Sequence, residues 1–140
     1  MIYAVIDTNV FVSALLSGKE DAATVQLVRK ILLGNIIPVY SEKILSEYRE
    51  VLQRPKFNFP AEDQRYLLAA IEKYGEYVVP QISGSSLPDE KDLPFYEAAN
   101  MNEAWYLVTG NMKHFPEESF VVTPREMLIV LKKMQSSARK

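Results

Sequence analysis

The sequence predicts an α/β domain with a mainly parallel β-sheet. Short apolar runs alternate with longer segments of helical spacing, and this alternation is typical of parallel sheets covered by helices. The apolar runs are rich in β-branched and aromatic residues, which favours strands over helices. Right-handed crossovers would join successive strands.

Five strands are predicted from these runs. Each run is short enough for a strand and carries few charges, as expected where both faces of the sheet are covered. The predicted strands are IYAVI (2–6), NIIPVY (35–40), YVVP (77–80), WYLVT (105–109) and FVVT (120–123).

Six helices are predicted between and after the strands. Ser41 can cap the third helix, which stops at Arg54 because Pro55 follows. Thr123 and Glu126 have the spacing of a capping box at the start of the last helix. The predicted helices span about 9–16, 21–33, 41–54, 61–74 and 92–102, with the last from 124 onward.

Length and composition limit the possible functions. The chain has 140 residues, of which 48% are apolar and 24% charged, so one domain with a real core is expected. It contains no cysteine, which excludes disulfides, zinc–thiolate sites and thiol nucleophiles. The net charge of −2 provides no global basic field, so contact with nucleic acid would need a local patch.

The first residues lack the basic start and the small-residue cleavage site that are typical of a signal peptide. No signal peptide or membrane-spanning apolar run is visible, so a cytoplasmic location without a membrane partner is predicted. Residues 1–134 are predicted to form the domain, and residues 135–140 a flexible C-terminal tail. The stretch at 81–92 is the one long polar connection.

Two polar residues follow predicted strands. Asp7 ends the first strand, and Asn111 follows the fourth after Gly110. Ligands of open α/β sheets bind at the carboxyl ends of the strands, so both residues would face the same rim. The structural alternatives are a helix cap for Asp7 and a turn residue for Asn111.

Two further acids are placed by helices. Glu47 lies beside the apolar stripe that contains Ile44 and Val51, where a charge needs a partner. A structural salt bridge or a glutamate that extends its carboxylate to solvent is the alternative. Asp92 opens the fifth predicted helix, where a capping role is the alternative and Asp89 competes for it.

Three carboxylates in one cluster require a compensating cation. Oxygen ligands, with no cysteine and a single histidine, favour a hard divalent ion such as Mg²⁺ or Mn²⁺. Such an ion activates water and stabilises charge on a phosphoryl group. The constellation would therefore suit metal-assisted hydrolysis of phosphodiesters, provided that these residues meet.

Four segments, in this order, resemble the PIN-domain family and within it the single-domain toxin components of toxin–antitoxin systems. The segments are VIDTNVFVSALL, PVYSEKILSEYREVLQRPKF, DLPFYEAAN and LVTGNMKHF. The resemblance implies a three-layer α/β/α sandwich with a five-stranded sheet of order 3-2-1-4-5. It also implies an Mg²⁺- or Mn²⁺-dependent ribonuclease that acts on RNA, with an antitoxin protein as partner and a homodimer as assembly.

The resemblance also assigns the site residues. Asp7, Glu47 and Asp92 match three acids of the family and would be both catalytic residues and metal ligands. Asn111 stands where the family has a fourth acid after Thr-Gly; its amide oxygen could still ligate a metal, but it brings no charge. Thr8 and Asn9 match the small polar residues that steady the first acid.

Four other polar residues are candidates for contact with RNA phosphates. Arg54, Lys56 and Lys113 could form a small basic rim for RNA phosphates, with scattered solvated charge as the alternative. His114 could contact a phosphate near Asn111, or be an ordinary turn residue.

Two hypotheses concern assembly and activity. The fourth helix, with Leu67, Leu68 and Ile71, is a candidate for dimerisation. Because Asn111 replaces an acid, a catalytically silent module that binds RNA or protein through the same cleft is the rival to the nuclease hypothesis.

Overall fold

The computed structural model describes residues 1–82, 84 and 86–138. Within them, five strands form one sheet and six α-helices pack around it. The strands are β1 (Ile2–Ile6), β2 (Ile36–Tyr40), β3 (Glu76–Tyr77), β4 (Tyr106–Val108) and β5 (Val121–Val122). The helices are α1 (Thr8–Leu16), α2 (Ala23–Leu32), α3 (Glu42–Leu52), α4 (Ala61–Tyr74), α5 (Leu93–Ala99) and α6 (Pro124–Ala138).

The sheet has the order β3-β2-β1-β4-β5, and each of these neighbouring pairs is parallel. Strand β1 lies at the centre, where Ile2 pairs with Ile36 of β2 and Ile6 pairs with Val108 of β4. The order reverses beside β1, which is the place where ligands bind in such sheets. The predicted five-stranded parallel sheet of order 3-2-1-4-5 is confirmed.

Helices cover both faces of the sheet. Ala4, Val5 and Ile6 of β1 are all completely buried, although consecutive side chains of a strand point to opposite faces. Helix α5 packs against β1, β2 and β4, whereas α2 and α4 pack against β2. This is the layered α/β arrangement that the apolar strand runs predict.

Strand β3 is shorter and earlier than predicted. The prediction placed a strand at 77–80, whereas the structure has Glu76–Tyr77. The N–H of Val78 still donates to the Tyr40 carbonyl at 2.9 Å, but Val79 is 73% exposed. Pro80 has no N–H to continue the ladder, which explains why an apolar run ends early at this edge.

The predicted helix starts at Ser41 and Thr123 are confirmed. The Ser41 hydroxyl accepts the N–H of Ile44 at 3.3 Å. The Thr123 hydroxyl accepts the N–H of Glu126 at 3.1 Å, while the Glu126 carboxylate accepts the N–H of Thr123 at 2.9 Å. The first of these caps fixes the start of the helix that carries Glu47.

The last helix runs through the predicted domain boundary. Helix α6 extends to Ala138, so residue 134 lies inside it, and residues 139–140 of the predicted tail fall outside the described residues. Positions 83 and 85 of the predicted polar connection also fall outside them. The flexibility of residues 135–140 stays a prediction.

The two edges of the sheet differ in chemistry. At the amino ends of the strands, Tyr3 and Trp105 stack with ring centroids 6.0 Å apart and planes 23° apart. At the carboxyl ends, β1 runs into Asp7 and β4 runs into Thr109. No helix in the described part of the chain is long and apolar enough to cross a membrane.

Candidate functional site

Asp7 is a buried carboxylate at the carboxyl end of the central strand. It is 4% exposed, and its N–H donates to the Val108 carbonyl at 2.9 Å, which extends the pairing of β1 with β4 by one residue. Asp7 occupies the cap position of α1, but its side chain makes no capping hydrogen bond. Instead, the Thr109 hydroxyl donates to Asp7 Oδ2 at 2.8 Å.

Thr109 joins the first acid to the loop after β4. The residue is completely buried, and its hydroxyl oxygen also accepts the N–H of Asn111 at 3.0 Å. One hydroxyl therefore donates to the Asp7 carboxylate and accepts from the next turn, which uses both of its hydrogen-bonding functions. This fixes one oxygen of Asp7 relative to the sheet.

Burial is the largest influence on the ionisation of Asp7. It raises the pKa of Asp7 above the ordinary value of 3.8, while the hydrogen bond from Thr109 lowers it. The backbone N–H groups of Asn9 and Thr8 also lower the pKa, although neither completes a capping hydrogen bond of normal geometry. A positive charge nearby would relieve the cost of keeping this buried group ionised.

Glu47 is held near Asp7 by its neighbour Tyr48. The Tyr48 hydroxyl donates to the carbonyl of Ile6, the residue before Asp7, so α3 is tied directly to the end of β1. Tyr48 is 1% exposed and meets the Phe11 ring edge-to-face at 5.1 Å. This packing fixes the position from which Glu47 extends into the site.

The Glu47 carboxylate is half-buried and has no ion pair among the residues that the structure describes. The nearby guanidinium of Arg54 bonds Glu50 instead, at 3.3 and 2.9 Å. Burial raises the pKa of Glu47, and the charges of Glu50 and Asp7 raise it further, against Lys91 and Arg54, which lower it. The structural salt bridge considered for Glu47 is thus not formed.

Asp89, and not Asp92, caps the turn before α5. A short 3₁₀ turn, Glu90–Asp92, precedes α5, and Asp89 caps this turn by accepting the N–H of Lys91 at 3.0 Å. Asp92 stands at the start of α5 but makes no capping hydrogen bond there. Of the two acids that compete for a cap in the sequence, Asp89 takes it and Asp92 faces the cleft.

His114 approaches the buried oxygen of Asp92. Its Nδ1 lies 3.0 Å from Asp92 Oδ2, although the oxygen has no hydrogen bond of normal geometry within the described chain. Burial raises the pKa of Asp92 to about 6, with further raising by Asp7 and Asp89 and lowering by His114. The negative charge of Asp92 is therefore only partly compensated within the described residues.

Asn111 acts on His114 rather than on the acids directly. The Asn111 side-chain nitrogen lies 2.9 Å from His114 Nε2. With that nitrogen as donor, His114 Nε2 is the acceptor and the ring proton sits on Nδ1, which faces Asp92. Asn111 is not in the wall of the cleft, and Lys113 is exposed outside it.

The acids line one cleft at the carboxyl edge of the sheet. Its volume is about 260 Å³, and acidic and basic side chains both contribute to its wall. The lining residues are Asp7, Thr8, Asn9, Glu47, Val51, Arg54, Lys56, Phe57, Asp89, Lys91, Asp92, Phe95 and His114. The structure thus brings together all three predicted acids, both polar residues after Asp7, His114, and two of the three predicted rim cations.

The donor chemistry of this cleft fits a hard divalent cation. Its carboxylate oxygens are of the kind that Mg²⁺ and Mn²⁺ prefer, and Asp92 Oδ2 and the buried Thr8 hydroxyl lack hydrogen-bond partners in the described chain. No three acidic or histidine side chains of the described residues are already close enough together to hold a metal ion. Binding an ion would require the carboxylates to converge on it.

Sequence reasoning missed several residues of the site. Thr109 left a signal, since it is a hydroxyl residue at the end of an otherwise apolar strand. Tyr48 lies on the apolar stripe of its helix and is buried as that pattern predicts, but its hydroxyl also positions β1. No sequence pattern predicted Lys91 and Phe57 as residues of the site, because loops bring them to the cleft.

One of three comparisons with known proteins identifies a family. Comparisons with curated proteins and with solved structures find no match. The family model for the PIN domain matches residues 3–113, which include the four polar positions predicted from the sequence. PIN domains are typically metal-dependent nucleases, and this points to nuclease activity in general. With most of its length matched, the chain belongs to the PIN domain family.

Proposed function

We propose that this protein is an Mg²⁺- or Mn²⁺-dependent endoribonuclease. The observation that carries the proposal is the position of Asp7, Glu47 and Asp92 on one cleft beside the point where the strand order reverses. Burial raises the pKa of each of these acids, so the cleft favours a positive partner. Family membership supplies the nuclease class.

Asp7, Glu47 and Asp92 would hold the ion. A bound divalent ion supplies an activated water and stabilises negative charge at phosphorus. Thr109 holds one oxygen of Asp7 toward the sheet by its 2.8 Å hydrogen bond. Glu47 and Asp92 extend from α3 and from the start of α5 toward the same cleft.

The basic residues of the cleft would attract the phosphates of RNA. Arg54, Lys56 and Lys91 line it together with the acids, and Lys113 lies exposed next to His114. Lys56 and Lys91 have no ion pair within the described part of the chain, which leaves their charge available to a phosphate. Such contacts would position RNA without reading its sequence.

Asn111 would complete the ion's surroundings directly or through water. Its amide already contacts His114, so a direct contact would require this side chain to leave His114. The alternative is an indirect effect, in which Asn111 orients His114 and His114 orients Asp92. Either role is compatible with an amide at the position of the fourth acid.

The test of this proposal is the Asp7→Asn variant. Cleavage of single-stranded RNA in Mn²⁺ should fall by roughly 100-fold or more, because an amide removes the charge that binds the ion. Asp21→Asn, which neutralises an exposed acid outside the cleft, serves as the matched control and should cut like the wild type. Cleavage by Asp7→Asn at the control rate, with both proteins folded, would overturn the proposal.

A second candidate function is a catalytically silent module that binds RNA or a protein through the same cleft. Asn111 at the fourth acid position favours it, since one negative charge is missing. One assay distinguishes the two functions. Purified wild-type protein that binds single-stranded RNA but leaves it intact in Mn²⁺ would support the silent module.

The role of toxin, the antitoxin partner and the homodimer stay proposals that rest on the resemblance. A small antitoxin-like reading frame beside the gene would support the first two. Leu67 and Ile71, predicted as part of a dimer surface, are buried in the core, at 5% and 0% exposure. Of the three residues predicted for this surface, only the half-buried Leu68 would be available to a dimer contact through this helix. Light scattering of the purified chain tests whether a dimer forms.

A further inference from the structure

We propose that Phe57 forms a stacking subsite for one base of single-stranded RNA bound across the acidic cleft. This inference rests on the proposed function, because it assigns the part of the substrate that the cleft contacts beside the ion. Aromatic side chains bind bases of single-stranded nucleic acids through their ring faces, with little preference for sequence.

Phe57 is placed in the cleft by an unusual loop. It follows α3, the helix that carries Glu47, and it is half-buried in the cleft wall. The next residue, Asn58, has a φ of 51°, a left-handed conformation that is uncommon for residues other than glycine. On its far side lies Phe59, whose ring is nearly parallel to that of Phe57, with centroids 5.3 Å apart and planes 11° apart.

The two stacked rings have different surroundings. Phe57 lines the cleft with the three acids, whereas Phe59 does not. Phe59 instead lies behind Phe57, where both pack against the core. This arrangement holds the Phe57 ring in place and so reduces the conformational freedom that it would lose when a base stacks on it.

Positively charged side chains lie at the Phe57 ring and in the same cleft. The Lys56 ammonium lies over the ring, 5.1 Å from its centroid, and Arg54 and Lys91 line the cleft. Arg54 is engaged by Glu50, so Lys56 and Lys91 are the cations best placed to bind a phosphate. A base that stacks on Phe57 would take the place of the Lys56 ammonium over the ring, and the ammonium would move to a phosphate of the same strand, next to the acids.

The experiment measures binding without cleavage. All variants are made in the Asp7→Asn protein, and affinity for a fluorescein-labelled oligouridylate in Mg²⁺ is measured by anisotropy. Phe57→Leu should weaken binding by about 5-fold to about 100-fold, the range for loss of one stacked base. Phe57→Trp should restore it, since the aromatic face returns. Phe59→Leu is the matched control and should have the smaller effect.

A second arm separates stacking from a purely structural role. One base of the oligonucleotide is replaced by an abasic site, and the position is moved along the strand. At one position the abasic site should weaken binding to the parent protein but not to Phe57→Leu, because the two changes remove the same contact. Circular dichroism melting confirms that each variant is folded.

Three results would overturn the inference. The first is equal RNA affinity of the Phe57→Leu and Phe57→Trp proteins. The second is an abasic site that weakens binding equally in the Asp7→Asn parent and in Phe57→Leu at every position. The third is no measurable RNA binding by the Asp7→Asn parent. The proposed function fails separately, if the wild-type chain cuts no RNA in Mn²⁺. Phe57-dependent binding without any cleavage would leave the subsite in place and support the silent module.

Discussion

Asp7 and Asp92 face the same cleft, but the protein holds them in different ways. Asp7 ends the central strand and receives a hydrogen bond from the completely buried Thr109. Asp92 ends a 3₁₀ turn, and its buried Oδ2 is approached only by His114 within the described residues. One half of the site is part of the sheet, and the other half is carried by a loop.

Asp7, unlike Asp92, is held in a fixed position before an ion binds. Asp7 keeps its position through the same hydrogen bonds that hold β1 and β4 together. Asp92 has no such support, and burial raises its pKa to about 6. We expect changes to the Asp7 half to damage the fold and the site together, and changes to the Asp92 half to affect mainly the site.

The largest effect is expected for Thr109→Val, which removes the donor to Asp7 while keeping the side-chain shape. The unfolding free energy should fall by about 2 kcal/mol, because the buried carboxylate loses its hydrogen bond. RNA cleavage should fall at least about tenfold, as is usual when the group that orients a metal ligand is lost. Urea denaturation and a cleavage assay measure the two quantities.

Thr109→Ser is the matched control for that variant. It keeps the hydroxyl and loses only a methyl group, so cleavage should stay close to the wild type. If Val and Ser lower cleavage equally, the hydroxyl of Thr109 does not position Asp7, and the contrast between the two halves loses its main support.

A smaller effect on the unfolding free energy is expected for Asp92→Asn. The pKa of Asp92 is about 6 in the folded protein against 3.8 in the unfolded chain, so folding favours the protonated form. The metal-free protein should therefore lose stability as the pH rises from about 4 to about 6, and stay at the lower level above that range. Solvent screening limits the loss to about 1 kcal/mol.

Asp92→Asn cannot ionise, so this part of the pH dependence should be absent. Urea denaturation in EDTA at pH 4.5 and pH 7.5 measures it, and the variant should be the more stable protein at pH 7.5. Wild-type and variant curves with the same pH dependence would show that Asp92 ionises without cost in the folded state.

The smallest effect is expected for Asn111→Asp, which introduces the acid that the resemblance to the family implies at this position. The new carboxylate should tighten Mn²⁺ binding, but by less than about tenfold, since the Asn111 side chain contacts His114 and not the cleft. Calorimetric titration measures this, with Asn102→Asp as a control that adds the same charge at an exposed position. No change in affinity would place Asn111 beyond the reach of the ion.

The fold was predictable because its signal lies in long apolar patterns. Strand IYAVI and the helix at 61–74 are found in the structure with the bounds predicted for them. Strand YVVP was misplaced, because its apolar residues lie at an exposed edge and Pro80 interrupts the ladder. Apolar runs indicate burial, but they do not show where an edge strand stops pairing.

The candidate site was only partly predictable, for a reason of geometry. Glu47 belongs to a helix whose period predicts the direction of its side chain, and Asp7 directly continues strand β1. The contact between Asn111 and His114 forms across a short 3₁₀ turn, Met112–His114, which the sequence pattern did not predict. Nor does the sequence show that Asp89 rather than Asp92 caps the turn, because both acids suit that role.

The stacked pair of Tyr3 and Trp105 has a practical consequence. Trp105 is the single tryptophan, and it lies at the amino ends of the strands, at the edge opposite the acids. Its emission would change when the sheet comes apart, yet an ion or an RNA strand would bind at the other end of β1. The chain thus carries a native optical reporter of unfolding that is well separated from the cleft, so no added dye is needed to follow its denaturation.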